Sequence, residues 1–355
     1  MECEGSAAMM NPFTIAFGRE PFEVVARDAE LNQIYESFEG QGIPTDAYVI
    51  TGPRGCGKTV ALSMLLDNFS RRDGWLAIRL NISDGMLEQL AAKLYEAGKM
   101  RRLFLKAQFS FSFHGVSFAI QGENPVPTVD SLLSKMFAYL KTKNMKVVIG
   151  VDDVGSSKDL ANFIRAFQGF AMDRFDVKLV LTGLYDSIKR LQRGDSLTFL
   201  ARARRVSLSP LPLSVVASSY CSIFDIPPEK GAALAKLTKG YAFAYQALGS
   251  ILFRDGKKEA DEAVLKEFDS LLFAMSYEII WPDLTETERK VLKGIASGAA
   301  TNSELAALLG VGEGYLSSYK KKLQLKGLLD LSVRGVSSFA LPRFKEFVTF
   351  QTWID

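Results

Sequence analysis

In the first half of the chain, short and nearly unbroken apolar runs alternate with longer stretches whose apolar residues recur at helical spacing. Ala47 to Thr51, Trp75 to Leu80, Val147 to Val151 and Val177 to Leu181 read as strands, while Asp28 to Phe38, Val60 to Phe69 and Ser131 to Leu140 read as helices. On the first helix, Leu31, Ile34, Tyr35 and Phe38 share one side. Strands without a polar face, joined through helices, predict a parallel sheet covered on both sides. One stretch breaks the alternation: Phe109, Phe111 and Phe113, then Val116, Phe118 and Ile120, keep a period of two around His114-Gly115 and predict an inserted β-hairpin. Its aromatics either pack on the sheet edge or form a partner surface.

From Pro212 to Ser276 the strand pattern vanishes, and Ser214 to Phe224, Gly231 to Thr238, Phe243 to Phe253 and Asp261 to Met275 predict a small helical lid. Beyond it, helices are expected over Thr285 to Ser297, Asn302 to Leu309 and Glu313 to Lys326. A hairpin of Leu328 to Val333 and Val336 to Leu341 around Arg334-Gly335 follows. Three helices and a two-stranded wing predict a winged helix-turn-helix. Thr285 with Glu288, and Thr301 with Glu304, have the spacing of capping boxes.

The chemistry begins where the first strand ends. Gly52-Pro53-Arg54-Gly55-Cys56-Gly57-Lys58-Thr59 fits GxxxxGK[ST] between a strand and a helix, the arrangement in which backbone N–H groups and a helix N-terminus cradle a nucleotide's phosphates. Gly52 to Val60 are therefore the candidate nucleotide-binding residues, with Lys58 reaching the β- and γ-phosphates and Thr59 placing its hydroxyl on Mg²⁺. A second signal is the strand Val147 to Val151 ending in Asp152-Asp153. Asp152 is expected to hold the Mg²⁺ of a bound ATP or ADP, and Asp153 to orient or deprotonate the attacking water. Thr182, ending another strand, either senses the γ-phosphate or lytic water or satisfies local backbone. Arg190, Arg193, Arg202, Arg204 and Arg205 crowd the end of this core, where a transferring phosphoryl group needs an added cation. The expected fold is α/β, with residues 1–212 as a P-loop core holding the hairpin near 108–120. Residues 213–276 are the lid and 277–355 the winged helix-turn-helix.

Composition narrows the alternatives. Of 355 residues, 43 are Lys or Arg, 40 are Asp or Glu, and His114 is the single histidine. A net charge of +3 gives no general case for a polyanion partner, so any such case is local. Cys3, Cys56 and Cys221 are far apart and without metal-ligand spacing, which leaves no zinc site and points to reduced thiols. Met1 to Met10 carries Glu2 and Glu4 and no apolar signal region, and no segment reaches the length of a membrane span. The expectation is a soluble, cytoplasmic chain with no membrane partner.

Several of these segments together resemble a known family. Asn11-Pro12-Phe13-Thr14 with Phe17-Gly18, the phosphate loop, Val151-Asp152-Asp153-Val154, Thr182-Gly183-Leu184, Leu197 to Ala203, Gly240-Tyr241-Ala242-Phe243 and Phe339-Ala340-Leu341-Pro342 are similar to the bacterial AAA-type "ATP-binding protein" family. That family in turn resembles archaeal-type and origin-recognition-type ATPases. The resemblance implies an AAA+-like core and lid with a winged helix. It makes Arg202 the arginine-finger candidate and places Val25 to Arg27 near adenine. Two departures stand out. Asp153 occupies a position where these families mostly carry glutamate, which puts fast hydrolysis in question and is similar to the Asp-Asp pair of NB-ARC-type switches. Ala242 occupies the position of a usual lid proline.

In the expected winged helix, Glu313 to Lys326 carries Lys320, Lys321, Lys322 and Lys326 against one Glu313. Tyr315, Ser318 and Lys322 share a face that Lys321 adjoins, and the wing tip adds Arg334; these are the candidate contacts to double-stranded DNA. Against this, Trp281 to Asp355 holds ten Lys plus Arg and eight Asp plus Glu. Two readings therefore stand: a nucleotide-dependent ATPase switch controlling a DNA-binding domain, and a nucleotide-stabilised scaffold with little hydrolysis that docks onto protein or a second copy of itself. A replication initiator or loader follows from resemblance alone.

Overall fold

The computed structural model describes residues 10–15, 27–97, 111–113, 116–118, 128–193, 198–299, 301–333 and 335–354. The chain divides into two compact units: Asp28–Thr51 with Lys58–Leu208, and Ser209–Asp355 with Gly52–Gly57 and the residues through Arg27.

The first unit alternates α1 (Asp28–Glu39), β1 (Ala47–Thr51), α2 (Lys58–Ser70), β2 (Trp75–Leu80) and α3 (Met86–Glu96). After the short β3 (Phe111–Phe113) and β4 (Val116–Phe118) come α4 (Val129–Thr142), β5 (Lys146–Val151), α5 (Lys158–Met172), β6 (Val177–Gly183), α6 (Tyr185–Arg193) and β7 (Arg204–Ser207). Five strands form one sheet in the order β2-β5-β6-β1-β7, every pair parallel. All five residues of β1 are buried, as are all but Lys146 of β5, which is why these strands carry no alternating polar face. Thr128 and Ser157 accept backbone N–H groups at the starts of α4 and α5.

β3 and β4 pair antiparallel, Phe111 opposite Phe118, as the period of two predicts. Phe109, His114, Gly115 and Ile120 lie outside the described residues. β7 was not foreseen: of its four residues only Val206 is buried, so an edge strand carrying Arg204 and Arg205 reads as a solvated basic run.

The second unit holds α7 (Leu213–Phe224), α8 (Pro228–Thr238), α9 (Ala242–Asp255) and α10 (Glu262–Leu272). α10 does not run to Met275 as one α-helix; it passes at Phe273–Tyr277 into a π turn. Phe13 is buried against this group, its ring 5.4 to 6.0 Å from those of Tyr220, Phe224 and Tyr245, while the Thr14 N–H donates to Gln246 Oε1. The Asn-Pro-Phe segment is thus an integral part of the helical core.

Then follow α11 (Glu286–Ala296), α12 (Asn302–Leu309), α13 (Glu313–Leu325), β8 (Leu329–Asp330), β9 (Ser338–Phe339) and α14 (Phe344–Ile354). Both capping boxes are formed. The hairpin strands shrink to two residues each, and α14, absent from the periodicity reading, buries Phe344, Phe347 and Val348.

Ala242 is the first residue of α9, where a helix needs no N–H, and Tyr241 before it is extended (φ −72°, ψ 118°), a conformation compatible with a following proline. Ala242→Pro is therefore expected to stabilise the chain by about 0.4–1 kcal/mol through the unfolded state; the urea midpoint measures it, and a lowered midpoint would mean the ring does not fit there.

Candidate nucleotide site

Parallel register brings the functional strand ends to one edge. Thr51 pairs with Gly183 and Ile50 with Thr182, while Val151 pairs with Leu181, so Asp152 comes level with Thr182. The Thr182 hydroxyl donates to Asp152 Oδ1, and the Asp153 N–H is shared between Asp152 Oδ1 (3.1 Å) and Thr182 Oγ1 (3.0 Å). Thr182 is fully buried, Asp152 half-buried and Asp153 exposed. The Thr182 hydroxyl is thus engaged by the Asp152 carboxylate and the Asp153 N–H. The hydrogen bonds of Asp152 among the described residues use Oδ1, and Oδ2 is the kind of hard oxygen that suits Mg²⁺.

Asp153 has φ +48°. Aspartate and asparagine tolerate this left-handed region far better than longer side chains, so the backbone at this position favours aspartate over glutamate.

The phosphate motif runs from the end of β1 into α2. Lys58 is buried and Thr59 and Val60 half-buried, in the turn whose N–H groups have no helical partner. In the other unit, Gly52 to Gly57 are held through their carbonyls. Tyr241 Oη donates to the Arg54 carbonyl (2.6 Å), the Phe243 N–H to that of Gly55 (3.0 Å), and Arg27 to that of Cys56 (2.7 Å). Gly55 and Gly57 take φ +71° and +90°. Arg27 is buried and also donates to the Ser209 carbonyl (2.7 Å). Arg27 thus grips the loop backbone, and Val25, expected with it near adenine, lies outside the described residues.

The arginine run separates. Arg204 donates to Tyr48 Oη (3.0 Å) and Arg205 to Gln192 Oε1 (2.9 Å), whereas Arg202 is exposed. Because Arg204 pairs with Tyr48 and Ser207 with Thr51, Arg202 precedes the amino end of β7, at the sheet edge opposite Asp152 and Thr182. The strand alone spans about 10 Å at ~3.3 Å per residue.

On α13 the lysines also divide. Lys320 is buried, its Nζ 2.5 Å from Asn302 Oδ1, and desolvation lowers its pKa. Lys326 is paired with the buried Glu288 (2.9 Å). Lys321, Lys322, Ser318 and Tyr315 are exposed, the Ser318 hydroxyl donating to the Tyr315 carbonyl, and Lys322 Nζ stands 4.9 Å from the Tyr319 ring centre. Two of the four lysines are thus structural; Arg334 lies outside the described residues. Sequence reasoning missed Ser276, whose hydroxyl meets Tyr241 Oη at 2.6 Å, because serine in a helical run carries no local signal.

Among the described residues no helix is long and apolar enough to cross a membrane. Residues 24–192 match the model of an ATPase domain predominantly from Archaea, and residues 274–348 that of a domain of unknown function, DUF8462. No curated protein matches in sequence. The fold is similar to that of a Walker-type ATPase of Pyrococcus abyssi, with 16% identity and a TM-score of 0.62 over 92% of this chain and 96% of that one. It is also similar to the ORC2 protein of Aeropyrum pernix in its ADPNP–ADP complexes, with 14% identity and a TM-score of 0.52 over 96% and 97%. A complete phosphate motif, an acidic strand end and a parallel sheet agree with the match of residues 24–192 to an archaeal-type ATPase domain.

Proposed function

We propose that the chain is a slow Mg-ATP hydrolase whose nucleotide state controls its C-terminal helices and wing, acting as a winged-helix module. The observation that carries this reading is the Asp152–Thr182 pair at the carboxyl edge of the sheet whose strand β1 leads into the phosphate motif. The related fold of the Aeropyrum ORC2 protein was solved with ADPNP and ADP, which supports a nucleotide here. Lys58 would bind the β- and γ-phosphates, and Thr59 and Asp152 would hold Mg²⁺, which neutralises charge developing on the phosphates. Asp153 would orient the water that attacks the γ-phosphate and accept its proton.

Steady-state ATP turnover at low salt, with and without mixed-sequence duplex DNA and with Lys58→Ala as the blank, tests this reading. Stimulation by DNA supports the coupled switch. No turnover above the blank, with nucleotide still bound, supports the second reading, a nucleotide-stabilised protein-docking scaffold. That alternative is favoured by the internal use of Lys320 and Lys326 and by exposed Leu308 and Tyr315.

Asp153→Asn keeps a residue that tolerates φ +48° while removing the carboxylate. Turnover is expected to fall about 100-fold or more with nucleotide affinity kept; unchanged turnover would remove Asp153 from the chemistry.

Arg202, at the amino edge, serves the nucleotide of a neighbouring copy rather than its own. Arg202→Ala and Lys58→Ala proteins, each inactive alone, are expected to regain turnover on mixing, as measured by phosphate release; no recovery at any ratio would contradict action between subunits.

With Lys321 and Lys322 as the exposed lysines of α13, DNA affinity is expected to fall with salt at a log–log slope of about −1.8 from these two contacts, and Lys321→Ala/Lys322→Ala to remove that slope. An unaltered slope in the double variant, read by fluorescence anisotropy, would place any DNA contact elsewhere.

A further inference from the structure

The phosphate loop is held from outside by three successive carbonyls, and we infer that Tyr241, the Phe243 N–H and Arg27 form a clamp that sets its peptide planes for phosphate binding. Tyr241 is its adjustable member. The inference rests on the nucleotide reading above and adds positioning residues to it.

In a trans peptide the carbonyl of one residue and the N–H of the next point in opposite directions. Fixing the Arg54 and Cys56 carbonyls on Tyr241 and Arg27 therefore turns the Gly55 and Gly57 N–H groups away from the clamp. Two amides freed in this way are what an anion-binding loop presents. Without the clamp, a glycine at 55 would let the Arg54–Gly55 peptide turn over at little cost, presenting a carbonyl oxygen to the phosphate instead. Gly55 is also required sterically: a Cβ there would stand 2.2 Å from Tyr241 Oη and 3.0 Å from Phe243 Cβ. Its φ of +71° favours glycine as well, so backbone and clamp both call for glycine at position 55.

The Phe243 N–H is available because it lies in the first turn of α9, where no helical carbonyl precedes it. Tyr241 is buried, and burial holds its phenol far above the ordinary range, so it remains a donor at every physiological pH. Its one hydrogen goes to the Arg54 carbonyl, a pure acceptor, so the contact with Ser276 must run from the serine hydroxyl to Tyr241 Oη. Ser276 lies in the π turn after α10, which makes the chain Ser276 to Tyr241 to Arg54 a polarised relay from that turn to the loop.

The test is the steady-state kinetics of Tyr241→Phe, which keeps the packed ring and loses only the hydroxyl. The KM for Mg-ATP, together with ADP affinity by calorimetry, is expected to weaken about 5- to 30-fold, the equivalent of one or two net hydrogen bonds. kcat is expected to stay within about threefold, because the loop binds ground state and transition state alike. Ser276→Ala, which leaves the phenol but removes the group that orients it, is expected to give a smaller rise of about 2- to 5-fold in the same constants and decides the matter if Tyr241→Phe does not fold. Unchanged KM and affinity in the folded variants would overturn the clamp, as would a joint loss of kcat and melting temperature without a KM effect, which marks a structural role. Failure of the wild-type chain itself to bind ADP would instead overturn the nucleotide reading beneath it.

Discussion

β6 lies between β1 and β5, and that placement governs the chemistry of the sheet edge. With β6 interposed, Thr182 comes level with Asp152, and a buried threonine spends its single hydrogen on the carboxylate. A carboxylate fixed on one oxygen presents the other in a set direction, and preorganisation of that kind costs nothing at the moment of binding.

The same economy of backbone groups appears in the other unit. The loop residues Arg54, Gly55 and Cys56 have no ladder to satisfy their carbonyls, and each finds a donor in the surrounding helices or in Arg27. The π turn at Phe273–Tyr277 places Ser276 on Tyr241, and Tyr277, buried in the same turn, donates to the Pro342 carbonyl. One local departure from α-helical geometry thus serves two long-range hydrogen bonds, a use to which such turns are often put.

Charge is divided in a similar way between structure and surface. Arg204 and Arg205, adjacent in a basic run, are spent on Tyr48 and Gln192, while Arg202 two residues earlier remains exposed. On α13, Lys320 and Lys326 tie the helix to Asn302 and Glu288. A basic count along a helix therefore overstates the charge available to a partner, since helical rotation turns neighbouring positions to different faces.

The phosphate loop, four of the five sheet strands and both capping boxes were legible from residues alone, because each is specified by neighbours within a few positions: a run of apolar side chains, a glycine spacing, a Thr three residues before a Glu. β7 and α14 escaped, the first because an edge strand with one buried residue carries no apolar run, the second because its apolar residues follow a proline-terminated hairpin without a cap signal. The role of Arg27, the relay from Ser276 and the sheet edge on which Arg202 falls were decided by tertiary structure. Their partners are backbone carbonyls and strand registers, which any residue can supply, and so they leave no mark in the sequence of side chains.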